Sequence, residues 1–351
     1  MPAPATAPAD AYRDYRTPDA PGRIPVAGGR QPYWGWAPVG EARFDADAYR
    51  GDKRLRQWDF FTVMNDQVAL NVTLADFGLA TMCTVDAIEW SSGKTWQAAA
   101  FSLGAITPIG FGDSPRQDVT CVMGSSRVLW RAPQQNEHAI ELEIDIAGTV
   151  FTASAKGSLK LTRPTGAPYL SHIMPLDDRG AFFYQNKIPG YRVEGTVKLG
   201  RTAMNFGSGS YAIRDWGRGL WPTQLTWLWG AGHGRTADGR EVWANFGGGF
   251  GDTSRASENL LVVDGQALKL GQLEWTMDAD GIPQALREID GLLELQLDSQ
   301  FVQKPELNIL IKSMRLRKSY GIWRGSYRPA PGAEPIPLSL HGFGEEMRLK
   351  W

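Results

Sequence analysis

The feature that most constrains this fold is a strict alternation of apolar and polar residues along several segments of the chain. Such alternation predicts strands that are buried on one face only. The clearest examples are residues 67–74, 139–146, 292–297 and 307–311. Asp-Gly pairs, which suit the positive φ of tight hairpin turns, stand at 238–239, 264–265 and 280–281. The sequence therefore predicts an all-β protein built from antiparallel hairpins.

The number of strands predicts the architecture. Only residues 283–291 could form a short helix. So many strands need protected edges, and closed barrels provide them. A chain of 351 residues is too long for one small barrel, so we expect two in tandem, with little helix. We expect barrels over 26–185 and 186–351, after a mobile Pro- and Ala-rich tail over 1–25; the Pro- and Gly-rich stretch 162–190 suggests the junction.

Charge and hydropathy exclude several classes of partner. The net charge is −1, so nothing predicts binding to nucleic acid or anionic lipid. No run approaches the ~18 apolar residues of a membrane span, and the N-terminus lacks the features of a secretory signal. These observations favour a cytoplasmic protein without integral membrane association and leave its oligomeric state open. Cys83 and Cys121 are expected to be buried free thiols.

Familiar cofactor and metal motifs are absent. Residues 91–95 end like a phosphate loop, but Ile88 stands where its leading Gly should be. Residues 207–212 fit a dinucleotide pattern but lead into an extended run rather than a helix. The four histidines lack metal-ligand spacing, and no Gly-x-Ser-x-Gly elbow occurs. We therefore expect no cofactor and no metal.

The segment around Asp215 carries the most chemical information. Several tryptophans cluster near it, namely Trp216, Trp221, Trp227, Trp229 and Trp243. On an extended strand Tyr211, Ile213 and Asp215 share one face, and Leu225, Trp227 and Trp229 share another. An acid beside apolar walls is desolvated, which raises its pKa. Asp215 could then protonate an alkene, an enol ether or a leaving group.

Arg218 supports a different interpretation. Within reach of Asp215 it would keep the carboxylate ionised, and the two would form an ion pair that fixes the turn while the tryptophans fill a barrel. Both interpretations stay open. The catalytic candidates are Asp215, Arg218, Tyr184 and His233.

A second group of side chains could contact a ligand. These candidate substrate-binding residues are Trp216, Trp221, Trp227, Trp229, Tyr211, Asn186, Asp59 and Asp76. Asp59 and Asp76 interrupt apolar strands, where single carboxylates are usually solvated.

Three further polar positions also have two interpretations each. Tyr184 and Asn186 could instead mark a strand end with a polar turn. His233 could shuttle protons or simply be hydrogen-bonded at a strand end, and the glycines around it favour a bend. Glu345 and Glu346 are expected to be charges on a barrel rim.

The same segment carries a resemblance. Asp215-Trp216-Gly217-Arg218-Gly219, followed by Trp221-Pro222 and Trp227-x-Trp229-Gly230, resembles a large bacterial family catalogued as a domain of unknown function. Further matching pieces extend from about residue 22 to Trp351, and they include Asn186-Lys187 and 342–345. More distantly, the turn around Asp215-Trp216-Gly217 and the Trp227-x-Trp229 pair look like the AttH-like group, which includes carotenoid hydratase and tocopherol cyclase. That likeness implies two tandem lipocalin-like (calycin) barrels and cofactor-free catalysis on hydrophobic substrates.

Two functions follow from these patterns. The first is a cofactor-free lyase, hydratase, isomerase or cyclase that acts on a hydrophobic small molecule in an aromatic-lined barrel cavity, with Asp215 as proton donor. The second is a binding or carrier protein for a lipid, isoprenoid or other hydrophobic metabolite. Calycin barrels host both, so the fold alone does not decide.

Overall fold

The computed structural model describes most of the chain from residue 35 to residue 350. The described residues are 35–37, 44–49, 51–78, 80–104, 109–132, 138–177, 179–251, 253, 257–309 and 312–350. The predicted tail over 1–25 lies outside them. Twenty-four strands and one 3-10 helix, Ala46–Tyr49, make up their regular structure. The prediction of an all-β protein with little helix is confirmed.

Fourteen strands form the first antiparallel sheet. They are β1 (Gly35–Ala37), β2 (Leu55–Met64), β3 (Val68–Asp76), β4 (Ala80–Glu89), β5 (Thr95–Leu103), β6 (Ile109–Gly110), β7 (Val119–Met123), β8 (Ser126–Arg131), β9 (Ala139–Ile146), β10 (Ala155–Thr162), β11 (Leu170–Pro175), β12 (Phe182–Leu199), β13 (Thr202–Phe206) and β14 (Tyr211–Leu220). Their main order is β5-β4-β3-β2-β14-β12-β10-β9-β8-β7-β6, with β11 and β13 paired to β12, and β1 paired to β11. The sheet curls around a large apolar core that contains the free thiols Cys83 and Cys121. These thiols are buried, as predicted.

Ten strands form the second antiparallel sheet. They are β15 (Gln224–Thr236), β16 (Glu241–Gly248), β17 (Leu260–Val263), β18 (Gln266–Lys269), β19 (Leu273–Met277), β20 (Pro283–Glu288), β21 (Leu293–Gln303), β22 (Glu306–Ile309), β23 (Lys312–Tyr327) and β24 (Ile336–Lys350). Their order is β18-β17-β16-β15-β24-β23-β21-β20-β19, with β22 on β23. This sheet encloses its own apolar core. The glycines of the three Asp-Gly pairs have positive φ, at Gly239, Gly265 and Gly281.

Two sequence expectations about the elements differ from the structure. The segment that could have formed a helix is strand β20, which pairs with both β19 and β21. The sheets change at residues 221–223, whereas the predicted division at 185/186 lies inside β12. Tyr184 and Asn186 thus lie within a long strand and not at a strand end. The Pro- and Gly-rich stretch suggested the junction because it interrupts strands, yet it holds the β11–β12 hairpin and a bulge between Ile188 and Tyr191.

The two barrels pack through the outer faces of β2, β12 and β14 on one side and β15, β23 and β24 on the other. Two apolar clusters combine side chains of both barrels. Their buried members are Met64, Ala69, Ile88, Ile213, Trp229, Ala231, Tyr320 and Phe343 in one, and Trp58, Ala75, Phe183, Trp221, Leu225 and Phe250 in the other. Within the first sheet, the Trp58 ring lies over Gly217 on the neighbouring strand, where a Cβ would lie 1.9 Å from that ring. No helix among the described residues has the length and apolarity to span a membrane.

Candidate functional site

Strand β14 divides the predicted site residues between two environments. Ile213 packs with both barrels, and Asp215 shares its face by alternation. Arg214 and Trp216 point into the first barrel, and Arg218 lies against the Trp216 ring there. Asp215 and Arg218 are therefore on opposite faces of the strand, and the ion pair considered from the sequence does not form.

Asp215 instead pairs with a lysine on the neighbouring strand. Lys187 lies directly opposite it in register on β12, and its Nζ is 2.8 Å from Asp215 Oδ2. The same Nζ is 3.5 Å from Glu258 Oε2, which belongs to the second barrel. The side chains of Lys187, Asp215 and Glu258 are 5%, 11% and 7% exposed. Two carboxyl groups from two barrels thus share one ammonium group away from bulk water.

Trp229 forms the wall of this cluster. Lys187 Nζ lies 4.1 Å from the centre of its ring, within the range of a cation–π contact. Trp229 Nε1 donates to Asn245 Oδ1 at 2.8 Å, and Asn245 Nδ2 donates to the backbone oxygen of Glu258 at 2.7 Å. The indole and the loop that carries Glu258 are therefore held together by one asparagine.

A second buried lysine continues the cluster. Lys318 Nζ lies 2.9 Å from Glu345 Oε2 and 3.8 Å from the ring centre of Phe343. Burial lowers the pKa of Lys318, but Glu345, Tyr320 and Asp86 together raise it by more, so the net shift is upward. Glu345 also accepts a hydrogen bond from Trp227 Nε1 at 3.1 Å. The expectation of rim charges is wrong, since Glu345 and Glu346 are both buried.

Glu258 is a buried acid whose surroundings shift its pKa. Burial raises its pKa; Lys187 works against the rise, and Asp215 adds to it. Asp215 Oδ1 lacks a hydrogen-bond donor within the described part of the chain, and the contact of Glu258 Oε2 with Lys187 Nζ is long, at 3.5 Å. Gly247 makes room for the side chain, because a Cβ there would lie 2.1 Å from Glu258 Cγ. We define the Lys187 cluster as Lys187, Asp215, Glu258 and Trp229.

The inside of the first barrel holds the second set of site residues. Asp59 is fully buried inside the barrel and not solvated as a single strand carboxylate usually is. Arg214 on β14 donates two hydrogen bonds to it, of 2.8 and 2.6 Å. Burial raises the pKa of Asp59, and the guanidinium of Arg214 opposes that rise. The Arg214 guanidinium lies beside both the Phe61 ring and the Trp130 ring, 5.4 and 5.8 Å from their centres.

Arg218, Tyr184, Trp216 and Asn186 lie beside this ion pair. Arg218 donates to the backbone oxygens of Trp58 and Gly217 and packs 4.2 Å from the centre of the Trp216 ring. Tyr184 meets Trp216 edge to face at 5.2 Å. Asn186 lies opposite Trp216 in register. All four side chains are fully buried.

Three other candidates lie away from both groups. His233 bonds to Glu241 at 3.0 Å and stacks on Tyr211, four residues or about 13 Å along the strand from Trp229. Its strand continues to Thr236 without the expected bend. Asp76 accepts a hydrogen bond from the backbone of Gly78 and closes a turn.

The tryptophans of the candidate set separate in the same way. Trp221 and Trp227 meet edge to face in the apolar interface between the barrels, 5.8 Å apart, whereas Trp216 lies inside the first barrel. The aromatic wall predicted from the sequence is therefore largely a wall between barrels.

Sequence reasoning missed Glu258, Lys318 and the role of Lys187. Glu258 lies in an irregular segment after β16, and its partners are remote in sequence. Lys187 did stand in the Asn186-Lys187 piece of the family pattern, and this was the available signal. No group of three or more His, Cys, Asp or Glu side chains in the described ranges could hold a metal ion. Chemically, the Lys187 cluster can give and take protons beside an aromatic wall.

Comparison with known proteins places the chain in context. A family model described as Domain of unknown function (DUF2804) matches residues 20–351, and no curated protein matches the chain. Kievitone hydratase from Nectria haematococca is 12% identical, with a TM-score of 0.50 over 84% of this chain and 88% of that chain. CghA with Sch210972 is 13% identical (84% and 88% covered, TM-score 0.48), and a protein described as a putative AttH from Nitrosomonas europaea is 13% identical (84% and 92% covered, TM-score 0.47). The kievitone hydratase likeness shows the shared fold, two antiparallel β-barrels in tandem.

Proposed function

The chain belongs to the family described as Domain of unknown function (DUF2804), and from that premise we propose that it is a cofactor-free enzyme of the lyase, hydratase or isomerase type. Its substrate is a hydrophobic small molecule held between the two barrels, against Trp229 and the neighbouring aromatic side chains. The proposal rests above all on one observation: two carboxyl groups from different barrels share the ammonium of Lys187 beside Trp229.

The two carboxyl groups are suited to opposite roles. Burial favours the protonated form of Glu258, so Glu258 is the proposed proton donor. Asp215 makes the short contact with Lys187 and has an oxygen without a hydrogen-bond donor in the described chain. We assign Asp215 the role of proton acceptor, which revises the donor role inferred from the sequence. Arg218, Tyr184 and His233 do not face this pair.

The proposed chemistry balances within these groups. Glu258 transfers its proton to a double bond or to a leaving oxygen of the substrate. Asp215 takes a proton from an adjacent carbon, which gives an isomer or an alkene, or from a water molecule, which gives a hydrated product. Lys187 lies between both carboxyl groups and stabilises whichever of them is negative. The aromatic walls exclude water and so strengthen these electrostatic interactions.

A consumption experiment tests this function and identifies the substrate at the same time. Wild-type protein, Glu258→Gln, Asp215→Asn and the surface control Glu143→Gln are incubated with an apolar metabolite extract of the source organism. Mass spectrometry then follows each compound. Glu143 is exposed and pairs with Arg131, so its variant matches the chemical change outside the cluster.

We expect one compound to be consumed by the wild type and by Glu143→Gln. Its turnover should fall by about 10²–10⁴-fold in Glu258→Gln, the contribution of general acid catalysis. A compound that all four proteins retain unchanged would instead establish the binding or carrier function. If nothing is consumed by the wild type, the enzymatic proposal is wrong.

A further inference from the structure

The interior of the first barrel contains a polar layer between two apolar regions. Asp59, Trp216 and Asn186 lie directly opposite one another on β2, β14 and β12. Arg214 and Arg218 flank Trp216 on the same face of β14. On one side lies the main core of the barrel, and on the other a smaller cluster with Phe44, Tyr49, Phe182 and Leu220. These polar residues interrupt a strand face that is apolar on both sides of them, so their presence in the layer requires an explanation.

The charge of this layer is unbalanced. Asp59 neutralises Arg214, and no carboxylate of the described residues forms an ion pair with Arg218. Arg218 is fully buried, and among the described residues it donates only to backbone oxygens, those of Trp58, Gly217 and Gly112. Burial lowers the pKa of Arg218 to about 9, so the group is still a cation at neutral pH. Keeping an unpaired charge away from water is costly unless something compensates it.

The same place holds a group of polar atoms without hydrogen bonds. Within the part of the chain that the structure describes, Asn186 Nδ2, Asn186 Oδ1, Trp216 Nε1 and Arg218 Nε all lack hydrogen-bond partners, although their residues are fully buried. Buried polar atoms nearly always have partners. Three of these four are N–H donors, so the missing partner is mainly a hydrogen-bond acceptor.

An irregular loop covers the layer. In the segment between β6 and β7, the Phe111 ring centre lies 4.5 Å from the Arg218 guanidinium. Gly112 O accepts from Arg218 Nη2 at 3.4 Å, and Pro115 O accepts from Arg214 Nη1 at 2.6 Å. The loop oxygens thus occupy positions where the oxygens of an anion would bind, and displacement of the loop would expose both guanidinium groups.

We propose that this layer is a second binding site, which takes a monocarboxylate with an apolar body at Arg218, Asn186 and Trp216 beneath loop 111–116. The carboxylate supplies the missing negative charge and accepts from the unpaired N–H groups. Arginine is suited to carboxylates because its planar fork binds both oxygens. The apolar body replaces Phe111 against the main core of the barrel. This site lies on the opposite face of β14 from the Lys187 cluster, and its existence does not depend on the proposed reaction.

Octanoate and octanol serve as probes, because they share the apolar chain and differ in the carboxylate. Calorimetric titration of the whole protein should show saturable binding of octanoate and at least about tenfold weaker binding of octanol. Arg218→Met should lose octanoate binding by at least about tenfold, whereas Arg131→Met, on an exposed strand position, should bind like the wild type.

Asn186→Leu keeps the test decisive if Arg218→Met does not fold. Leucine removes two unpaired polar atoms, so the ligand-free melting temperature should stay or rise while octanoate binding falls by at least about tenfold. A purely structural asparagine predicts the reverse, a lower melting temperature with binding unchanged.

Three outcomes overturn the proposal. They are equal binding of octanoate and octanol, no octanoate binding by the wild type, and unchanged binding in Asn186→Leu. Loss of octanoate binding in Glu258→Gln but not in Asn186→Leu would place the carboxylate between the barrels. Because the reaction is tested by consumption of an apolar compound and this site by octanoate, each proposal can fail alone.

Discussion

The two faces of β14 carry opposite electrostatic excesses. Toward the second barrel, carboxyl groups predominate: Asp215 and Glu258 share Lys187, and Glu345 has Lys318. Toward the interior of the first barrel, guanidinium groups predominate, since among the described residues Asp59 pairs with Arg214 and no carboxylate forms an ion pair with Arg218. Both regions are buried among aromatic rings, so burial alone does not decide their chemistry. The sign of the unmatched charge does: the acid-rich face suits proton transfer, and the base-rich face suits an anion.

The largest expected effect comes from removing the guanidinium of the matched interior pair. Arg214→Met leaves Asp59 buried without its partner, which should lower the free energy of unfolding by about 3–5 kcal/mol. Denaturant unfolding measures it, with the exposed Arg131→Met expected to cost under about 1 kcal/mol. Equal costs for the two variants would mean that water reaches the interior layer and that the contrast between the two faces is lost.

A pH titration should show the acid excess between the barrels. The folded state raises the pKa of Glu258 above its ordinary value of 4.5. The stability that Glu258 contributes is therefore full below that value and is lost as the pH rises through the folded pKa. As the pH rises above 4.5, the melting temperature of the wild type should fall relative to that of Glu258→Gln. Parallel curves for the two proteins would contradict a raised pKa.

The smallest effect is expected at Asp76, which belongs to neither face. It accepts a hydrogen bond from the backbone of Gly78 in an exposed turn, and asparagine can accept the same bond. Asp76→Asn should change the free energy of unfolding by no more than about 0.5 kcal/mol and leave octanoate binding unchanged. A clear loss of binding would extend the interior site to the end of β3.

Alternation in the sequence was sufficient for the strands and for the shared face of Ile213 and Asp215. The Asp-Gly pairs located three hairpin turns correctly, since the positive φ they supply is a local requirement. The division between the sheets was not predictable in this way, because it falls in a three-residue connection with a single proline, Pro222. The richer punctuation of 162–190 marks a hairpin inside one sheet.

The partners of the candidate residues could not be found from periodicity. Asp59 contacts Arg214 because β2 and β14, which are remote in sequence, are neighbouring strands. Lys187 contacts Glu258 because the irregular segment after β16 folds back onto β12. Closeness in sequence suggested an ion pair between Asp215 and Arg218, since the two are three residues apart. In a strand that spacing puts them on opposite faces, and the extended structure of β14 therefore separates them.

Gly217 gives the contrast between the two faces its permanence. A slip of β14 by one residue would move every side chain to the other face, so Arg214 and Arg218 would enter the acid-rich region and Asp215 the interior. A slip in one direction would bring Trp216 beneath the ring of Trp58, and a slip in the other would bring Arg218 there. Even a Cβ at that position would lie 1.9 Å from the ring. Gly219 adds a second check, because a Cβ there would lie 2.2 Å from the backbone oxygen of Phe182. Gly217 and Gly219 therefore permit only this register of β14, so Asp215 and the two arginines cannot exchange faces.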